Sequence, residues 1–211
     1  MSEKEFLEEL EKLDIYPTKN QLSQLEKYFN LLVEWNSKIN LTRIIEKKEV
    51  YLKHFYDSLT IVKAVNLEKM NNLCDIGTGA GFPGIVLKIM YPHLSITLVD
   101  SLQKRINFLN IVINTLNLKD IKTIHARSED LRGQFDIVVS RAVANIEKLL
   151  AITMHLVKPT GMLVAMKGNI DKELTPTIKT KLEKKYVIEK IEKFILPKEN
   201  SCRSIILVKN K

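Results

Sequence analysis

"NNLCDIGTGAGFPG", residues 71–84, holds Gly77, Gly79, Gly81 and Gly84, four of the seven glycines in a chain of 211 residues. Asp75 precedes them and Pro83 stands before the last. A short apolar run, an acid, clustered glycines and a proline are the order of a strand that ends in a tight turn and opens a helix. Glycine there permits positive φ and lets backbone approach a ligand with no Cβ between them. Proline suits the first turn of the helix, where its missing N–H costs nothing. In a parallel α/β sheet, ligands gather beyond the strands' carboxyl ends, beside such a turn, where the winding reverses. Four glycines exceed what turning alone requires, so the loop predicts a nucleotide-like ligand.

Outward from this loop, short apolar runs alternate with amphipathic stretches. "NLCDI" (72–76), "SITLVD" (95–100), "IKTIHA" (121–126), "FDIVVS" (135–140) and "GMLVAMKG" (161–168) read as strands. Leu102, Ile106, Leu109, Ile113 and Leu116 recur at spacings of four and three, which predicts a helix over 102–117. A further helix is expected at about 145–156, and "KYVIEKIEKFILP" and "CRSIILVKN" read as two strands joined by a turn. Repeated βα units imply a mostly parallel, doubly wound α/β sheet covered on both faces, closed by an antiparallel C-terminal strand pair. Residues 1–66 read instead as a helical N-terminal extension ahead of a domain spanning 67–211. "TKNQ" (18–21) has the form of a capping box, and Leu22, Leu25, Phe29 and Leu32 follow at helical spacing. "WNSKINLTR" (35–43) interrupts that rhythm and predicts a turn, after which "EKKEVYLKHFYDSLTIVKAV" resumes it.

The composition, 45% hydrophobic and 27% charged, is that of a folded globular protein. No apolar run approaches the roughly 18 residues of a membrane span. The acidic, amphipathic "MSEKEFLEELEKL" is not a secretory or transit peptide, so a cytoplasmic protein without membrane attachment is expected. Cys74 and Cys202 lack metal-ligand spacing and a nearby histidine, which predicts reduced thiols and no metal. The net charge of +8 is uneven: residues 1–70 carry 11 Lys and Arg against 12 Asp and Glu, and residues 71–211 carry 22 against 13. An anionic partner is expected to meet the second part.

Two ligands compete for the loop. Gly79-Ala-Gly81-Phe-Pro-Gly84 satisfies the dinucleotide pattern G-x-G-x-x-G, and Asp100 ends the second strand where a ribose-binding acid belongs. S-adenosylmethionine has the ribose but no pyrophosphate, and its ammonium favours a carboxylate near the loop. Asp75 supplies one where a pyrophosphate would be repelled. The order of acid and glycines favours the methyl donor, while a nicotinamide-dependent oxidoreductase and a non-catalytic binding module with a vestigial pocket stay open.

"LCDIGTGAGFPGIVLKIMYP" with "ITLVDSLQKRINFL" closely resembles the bacterial small-subunit ribosomal RNA methyltransferases known as RsmG or GidB. "WNSKINLT" (35–42), "HFYDSL" (54–59), "HARSED" (125–130), "VVSRAVA" (138–144), "AMKG" (165–168) and "CRSIILVKN" (202–210) resemble that family's blocks in the same order. The resemblance implies a class I, Rossmann-like methyltransferase fold. It also implies methyl transfer from S-adenosylmethionine to N7 of a guanine in 16S ribosomal RNA. The partner is then that RNA, free or in a 30S subunit or assembly intermediate, met by a monomer.

The resemblance sets Gly77 and Phe82 against the cofactor, with Asp75, Gly79 and Ser101 beside them, Asp100 at the ribose, and Ser128 and Glu129 near the adenine. An acceptor-only carboxylate at Asp100 suits a vicinal diol, and the same side chain can cap the following helix. Arg141 closes a strand at the mouth of the same crevice and is expected to contact cofactor or guanine. No Asn/Asp-Pro-Pro-aromatic block follows that strand, and neither cysteine is placed as a nucleophile. Both features suit an N7 lone pair that needs no proton removed. His54, Asp57 and Ser58 share one helix face. His54 joins Arg141 as a catalytic candidate, and Asp57 and Ser58 are expected on the RNA side of the pocket. Lys167 and Arg203 are candidate RNA phosphate contacts, and Asn40 and Thr42 substrate-side guesses.

Overall fold

The computed structural model describes residues 1–211. Seven strands form one sheet: β1 (Asn72–Ile76), β2 (Ser95–Asp100), β3 (Ile121–His125), β4 (Phe135–Arg141), β5 (Val157–Lys167), β6 (Tyr186–Ile195) and β7 (Cys202–Asn210). They lie in the order β3-β2-β1-β4-β5-β7-β6. The pairs among β3, β2, β1, β4 and β5 are all parallel, and only β7 runs against its neighbours. The winding leaves β1 toward β2 on one side and toward β4 on the other, so the carboxyl ends of β1 and β4 flank the switch point where such sheets bind ligands. The closing strands are antiparallel as expected, but they do not simply extend the edge. β7 inserts between β5 and β6, which buries its central run Ser204–Val208 and leaves the alternating β6 outside.

Side chains alternate between two cores, as the period-two geometry of a strand dictates. Leu73, Ile137, Val139, Val164, Ile205 and Leu207 enter a cluster of 40 buried residues on one face. Cys74, Val138, Leu163, Ala165, Ile206 and Val208 enter one of 17 on the other. The larger cluster also holds Phe6 and Leu10 of α1 (Glu3–Glu11), Leu25, Tyr28 and Leu32 of α2 (Lys19–Ile39), and Phe55. The N-terminal helices thus share one core with the sheet, together with α5 (Gly84–Met90) and α6 (Gln103–Thr115). The smaller cluster lies under α7 (Ile146–Thr153) and α8 (Pro176–Leu182).

The capping box at Thr18 and Gln21 forms in full. The turn expected over 35–43 begins later than the sequence suggests, because α2 runs on to Ile39. Asn40 then ends the helix in the left-handed region while its N–H still donates to the Asn36 carbonyl. The next helical stretch is not one regular helix. A short α3 (Lys47–Val50) passes into a π-helical turn, Tyr51–Tyr56, and then into α4 (Asp57–Leu59).

Candidate functional site

A cavity of about 640 Å³ opens at the switch point, lined by the glycine loop, the ends of β2, β4 and β5, the π-helical turn and the start of β7. The loop is tied to β2 from two directions. The N–H groups of Gly77 and Thr78 donate to the Val99 carbonyl at 2.9 and 3.1 Å, and the Gly79 N–H donates to Asp100 Oδ2 at 2.9 Å. α2 holds it from outside through the Tyr28 hydroxyl, which donates to the Ala80 carbonyl at 2.5 Å. Gly81 sits beneath that contact at φ +104°, where a Cβ would lie 2.6 Å from Ile85 Cγ1 and 2.7 Å from the Tyr28 hydroxyl. Gly79, at φ +61°, turns bare backbone toward the cavity, and a Cβ there would meet almost nothing.

Asp75 does not line the cavity, contrary to the expected ammonium contact. It is fully buried beneath the loop, where Oδ2 accepts the Thr78 hydroxyl at 2.7 Å and the Gly84 N–H at 2.8 Å. Burial raises its pKa from 3.8 to about 6, against the lowering effect of those two bonds, and Oδ1 is left without a partner. Asp75 therefore organises the loop and the first turn of α5.

Asp100 does reach the cavity. Its Oδ1 accepts the Leu102 N–H at 3.0 Å, which closes a turn ahead of α6 rather than capping it, since Leu102 is itself the N-cap residue. Arg105, which the sequence reading missed, pairs with it at 3.1 Å. Ser101 lies beside it on the lining. Ser128 and Glu129 do not line the cavity: they occupy a 3₁₀ turn past β3, where the Ser128 hydroxyl donates to Glu129 Oε2 at 2.9 Å.

Across the cavity, the π-helical turn presents the Lys53 carbonyl and the His54 ring to Arg141 at the end of β4. Arg141 Nη1 donates to the Lys53 carbonyl at 2.9 Å and to Asp57 Oδ2 at 3.0 Å, and Nη2 lies 3.2 Å from His54 Nδ1. Nδ1 also lies 3.2 Å from the Lys53 carbonyl, so it sits between a group that only donates and one that only accepts, while Nε2 lies 3.0 Å from the Thr42 hydroxyl. Burial first, and the Arg141 charge second, lower the His54 pKa from 6.5 to about 3. Phe82 fills the gap beneath: His54 stacks on it at 4.4 Å between centroids, and the Arg141 guanidinium lies 5.2 Å from the ring centre. Phe82 belongs at once to the core and to the cavity wall.

Asp57 also accepts Arg203 Nε at 3.0 Å, so it stands between two guanidiniums. Ser58 is corrected: it is fully buried off the lining, and its hydroxyl donates back to the His54 carbonyl at 2.6 Å. Arg203 lines the cavity with its guanidinium engaged by Asp57 and Ser201 rather than turned outward for phosphate. Lys167 also lines the cavity, with its ammonium already engaged. It is only 8% exposed, and its ammonium donates to the Ala144 carbonyl and to Glu173 Oε2. Glu173 also accepts the Ile146 N–H at 3.0 Å, so the pair clamps both sides of the loop after β4.

In this geometry both ring nitrogens of His54 are occupied. Burial also pushes the Cys74 thiol up, and neither cysteine lines the cavity. The site offers cations, the carboxylates of Asp57 and Asp100, and fixed backbone for holding and orienting reactants.

The profile described as "GidB: rRNA small subunit methyltransferase G" matches residues 21–206. The chain belongs to the GidB family. It is 45% identical over 216 residues to the ribosomal RNA small subunit methyltransferase G of Bacillus licheniformis, covering 99% of this chain and 90% of that protein. Identity to the Bacillus subtilis protein of the same description is 44%, with the same coverage. A solved S-adenosylmethionine-dependent methyltransferase from Aquifex aeolicus shares the fold, with a TM-score of 0.57 at 16% identity over 77% of this chain and 93% of that one. GidB proteins are methyltransferases, which decides between the two cofactors that the glycine loop left open. The sheet is accordingly the class I, Rossmann-like one.

Proposed function

We propose that this protein transfers a methyl group from S-adenosylmethionine to N7 of a guanine in 16S ribosomal RNA, free or within a 30S subunit or assembly intermediate, as a cytoplasmic monomer. The match to the small-subunit rRNA methyltransferase family across residues 21–206 carries the reading. No helix is long and apolar enough to cross a membrane. The excess of basic residues over 71–211 suits a polyanionic substrate.

The residues present fit the cofactor. The cavity volume lies within the roughly 300–1,000 Å³ of small-molecule sites. Gly79 offers bare backbone, and Asp100 offers an acceptor-only carboxylate for the ribose diol. S-adenosylmethionine supplies a methyl group on a cationic sulfur that a nitrogen lone pair can attack directly. Gly77, Gly79, Phe82 and Ser101 would bind and enclose the nucleoside with Asp100. Arg141, held by Lys53, Asp57 and His54, would orient the reacting end from a fixed position. His54, held neutral by its lowered pKa, would keep the guanidinium in place rather than accept a substrate proton. Catalysis would then rest on alignment and the exclusion of water, not on acid–base work.

The test is incubation with methyl-labelled S-adenosylmethionine and unmodified small subunits or their RNA. Label in the RNA is expected. A folded protein that binds NADH in place of S-adenosylhomocysteine, or that leaves the RNA unlabelled, contradicts the reading.

A further inference from the structure

The Asp100 carboxylate is fully subscribed. Oδ1 accepts the Leu102 N–H and Oδ2 accepts the Gly79 N–H, both from fixed backbone, at 3.0 and 2.9 Å. The remaining place on each oxygen goes to a single atom, Arg105 Nη1, 3.4 Å from Oδ1 and 3.1 Å from Oδ2. An ionised carboxylate has about four lone-pair positions, so a vicinal diol finds none open. Its two hydroxyls need one place on each oxygen, and Nη1 holds those two.

Of the three donors, only Arg105 can yield. The two amides are parts of the β2–α6 junction and the glycine loop, whereas Arg105 is a side chain on the first turn of α6, 32% exposed where Asp100 is 2% exposed. Nor is the pair a fully settled structural bridge. Arg105 Nε is buried with no partner, whereas buried donors in stable networks are almost always satisfied.

We propose that Arg105 is a displaceable stand-in for the cofactor's ribose. It shields the Asp100 carboxylate until a diol takes its two places, and the guanidinium then turns out to the cavity rim. This rests on the reading of the cavity as the S-adenosylmethionine site. Arg105 sets cofactor affinity by competition, because a site that is competent only part of the time binds more weakly in proportion. The competition is specific to ligands with both hydroxyls.

The test is calorimetric titration of the full-length protein and of Arg105→Met with S-adenosylhomocysteine, adenosine and 2′,3′-dideoxyadenosine. Loss of an ion pair with one partner partly exposed predicts about fivefold tighter binding of the first two ligands to Arg105→Met, and no gain for the dideoxynucleoside. Unchanged or weaker S-adenosylhomocysteine binding with a wild-type melting temperature overturns the proposal. So does an equal gain for the dideoxynucleoside, which would mean general opening of the pocket. If Arg105→Met fails to fold, Arg105→Ala is titrated against the same criteria. Failure of the wild-type protein to bind S-adenosylhomocysteine at all would instead remove the cofactor reading on which the proposal stands.

Discussion

Replacing Asp75 by asparagine is expected to change how stability depends on pH while leaving cofactor binding nearly intact. Burial raises the Asp75 pKa from 3.8 to about 6. The folded protein therefore holds this proton more tightly than the unfolded chain. The associated stability is fully present below about pH 3.8 and is lost as pH rises through about 6. A shift of about 2 units at 1.36 kcal/mol each makes the loss about 3 kcal/mol, or roughly 6–12 °C in Tm for a chain of this size. His54 acts in the opposite sense. Its pKa falls from 6.5 to about 3, so its contribution is present above pH 6.5 and is lost as pH falls toward 3. The two slopes oppose each other between pH 4 and 6 in the wild type, and only a variant separates them. The substituted amide keeps an oxygen for Thr78 and Gly84 and cannot ionise. Melting temperatures of wild type and Asp75→Asn from pH 4.5 to 8 should diverge, the variant gaining relative stability as pH rises. Parallel curves would refute the buried, shifted carboxylate. Because Asp75 does not line the cavity, S-adenosylhomocysteine affinity should stay within about threefold, under 1 kcal/mol. A loss beyond about tenfold, the scale of a lost charge-assisted contact, would restore the ammonium contact that the sequence suggested.

Arg141→Ala should lose most methyl transfer, and Arg141→Lys should recover little. One ammonium cannot reproduce the planar fork that serves the Lys53 carbonyl, Asp57 and His54 together. Rates at saturating donor for both variants check this, and full activity in Arg141→Lys would contradict it. Cys74→Ala and Cys202→Ala, singly or together, should retain methyl transfer in the fraction that stays folded, since neither thiol lines the cavity. Abolished transfer in a folded Cys202→Ala protein would point to a covalent nucleophile. Gly84→Ala should cost about 1–3 kcal/mol in urea unfolding through overpacking, because the new Cβ would press on Leu98 and come within 2.8 Å of Asp75 Oδ2.

Much of this architecture was legible because local signals and the tertiary structure agree. "NLCDI" and "SITLVD" match β1 and β2 residue for residue, and the stripe through Ile106 and Leu109 places α6 within a residue or two at each end. Asp100 was readable because its position, at a strand end before a helix, fixes both its neighbours and its exposure. What escaped depends on partners distant in sequence or on packing that no short window records. Lys167 looked like a surface cation because nothing local says that Glu173 and the Ala144 carbonyl would enclose it. Arg105 lies only five residues past Asp100, but their contact depends on the turn that brings the start of α6 back over the end of β2. Asp75 was read by its place ahead of the glycines, but the bend that turns them toward the cavity turns its carboxylate away. The insertion of β7 between β5 and β6 did have a local signature: the unbroken apolar run Ile205–Val208 suits a strand covered on both faces, and the alternating β6 suits an edge. For α8 the signal was present: Thr175 caps it and Pro176 opens it, the expected start of a helix, but the lysine-rich stretch that follows masks its short apolar face.

Lone-pair attack on a donor's methyl group needs only a cavity that aligns its reactants, and the two carboxylates here, Asp57 and Asp100, are both engaged by arginines. Such attack is tested most directly by the chemical identity of the product. Unmodified 16S ribosomal RNA or 30S particles are incubated with the protein and labelled S-adenosylmethionine. The methylated nucleoside is then identified by mass spectrometry, and its position by strand scission after borohydride and aniline. The expected product is 7-methylguanosine at a single guanine. A label on a pyrimidine carbon, which needs a nucleophile where no cysteine lines the cavity, or on an exocyclic amine, which carries protons that must be lost, would overturn the assignment.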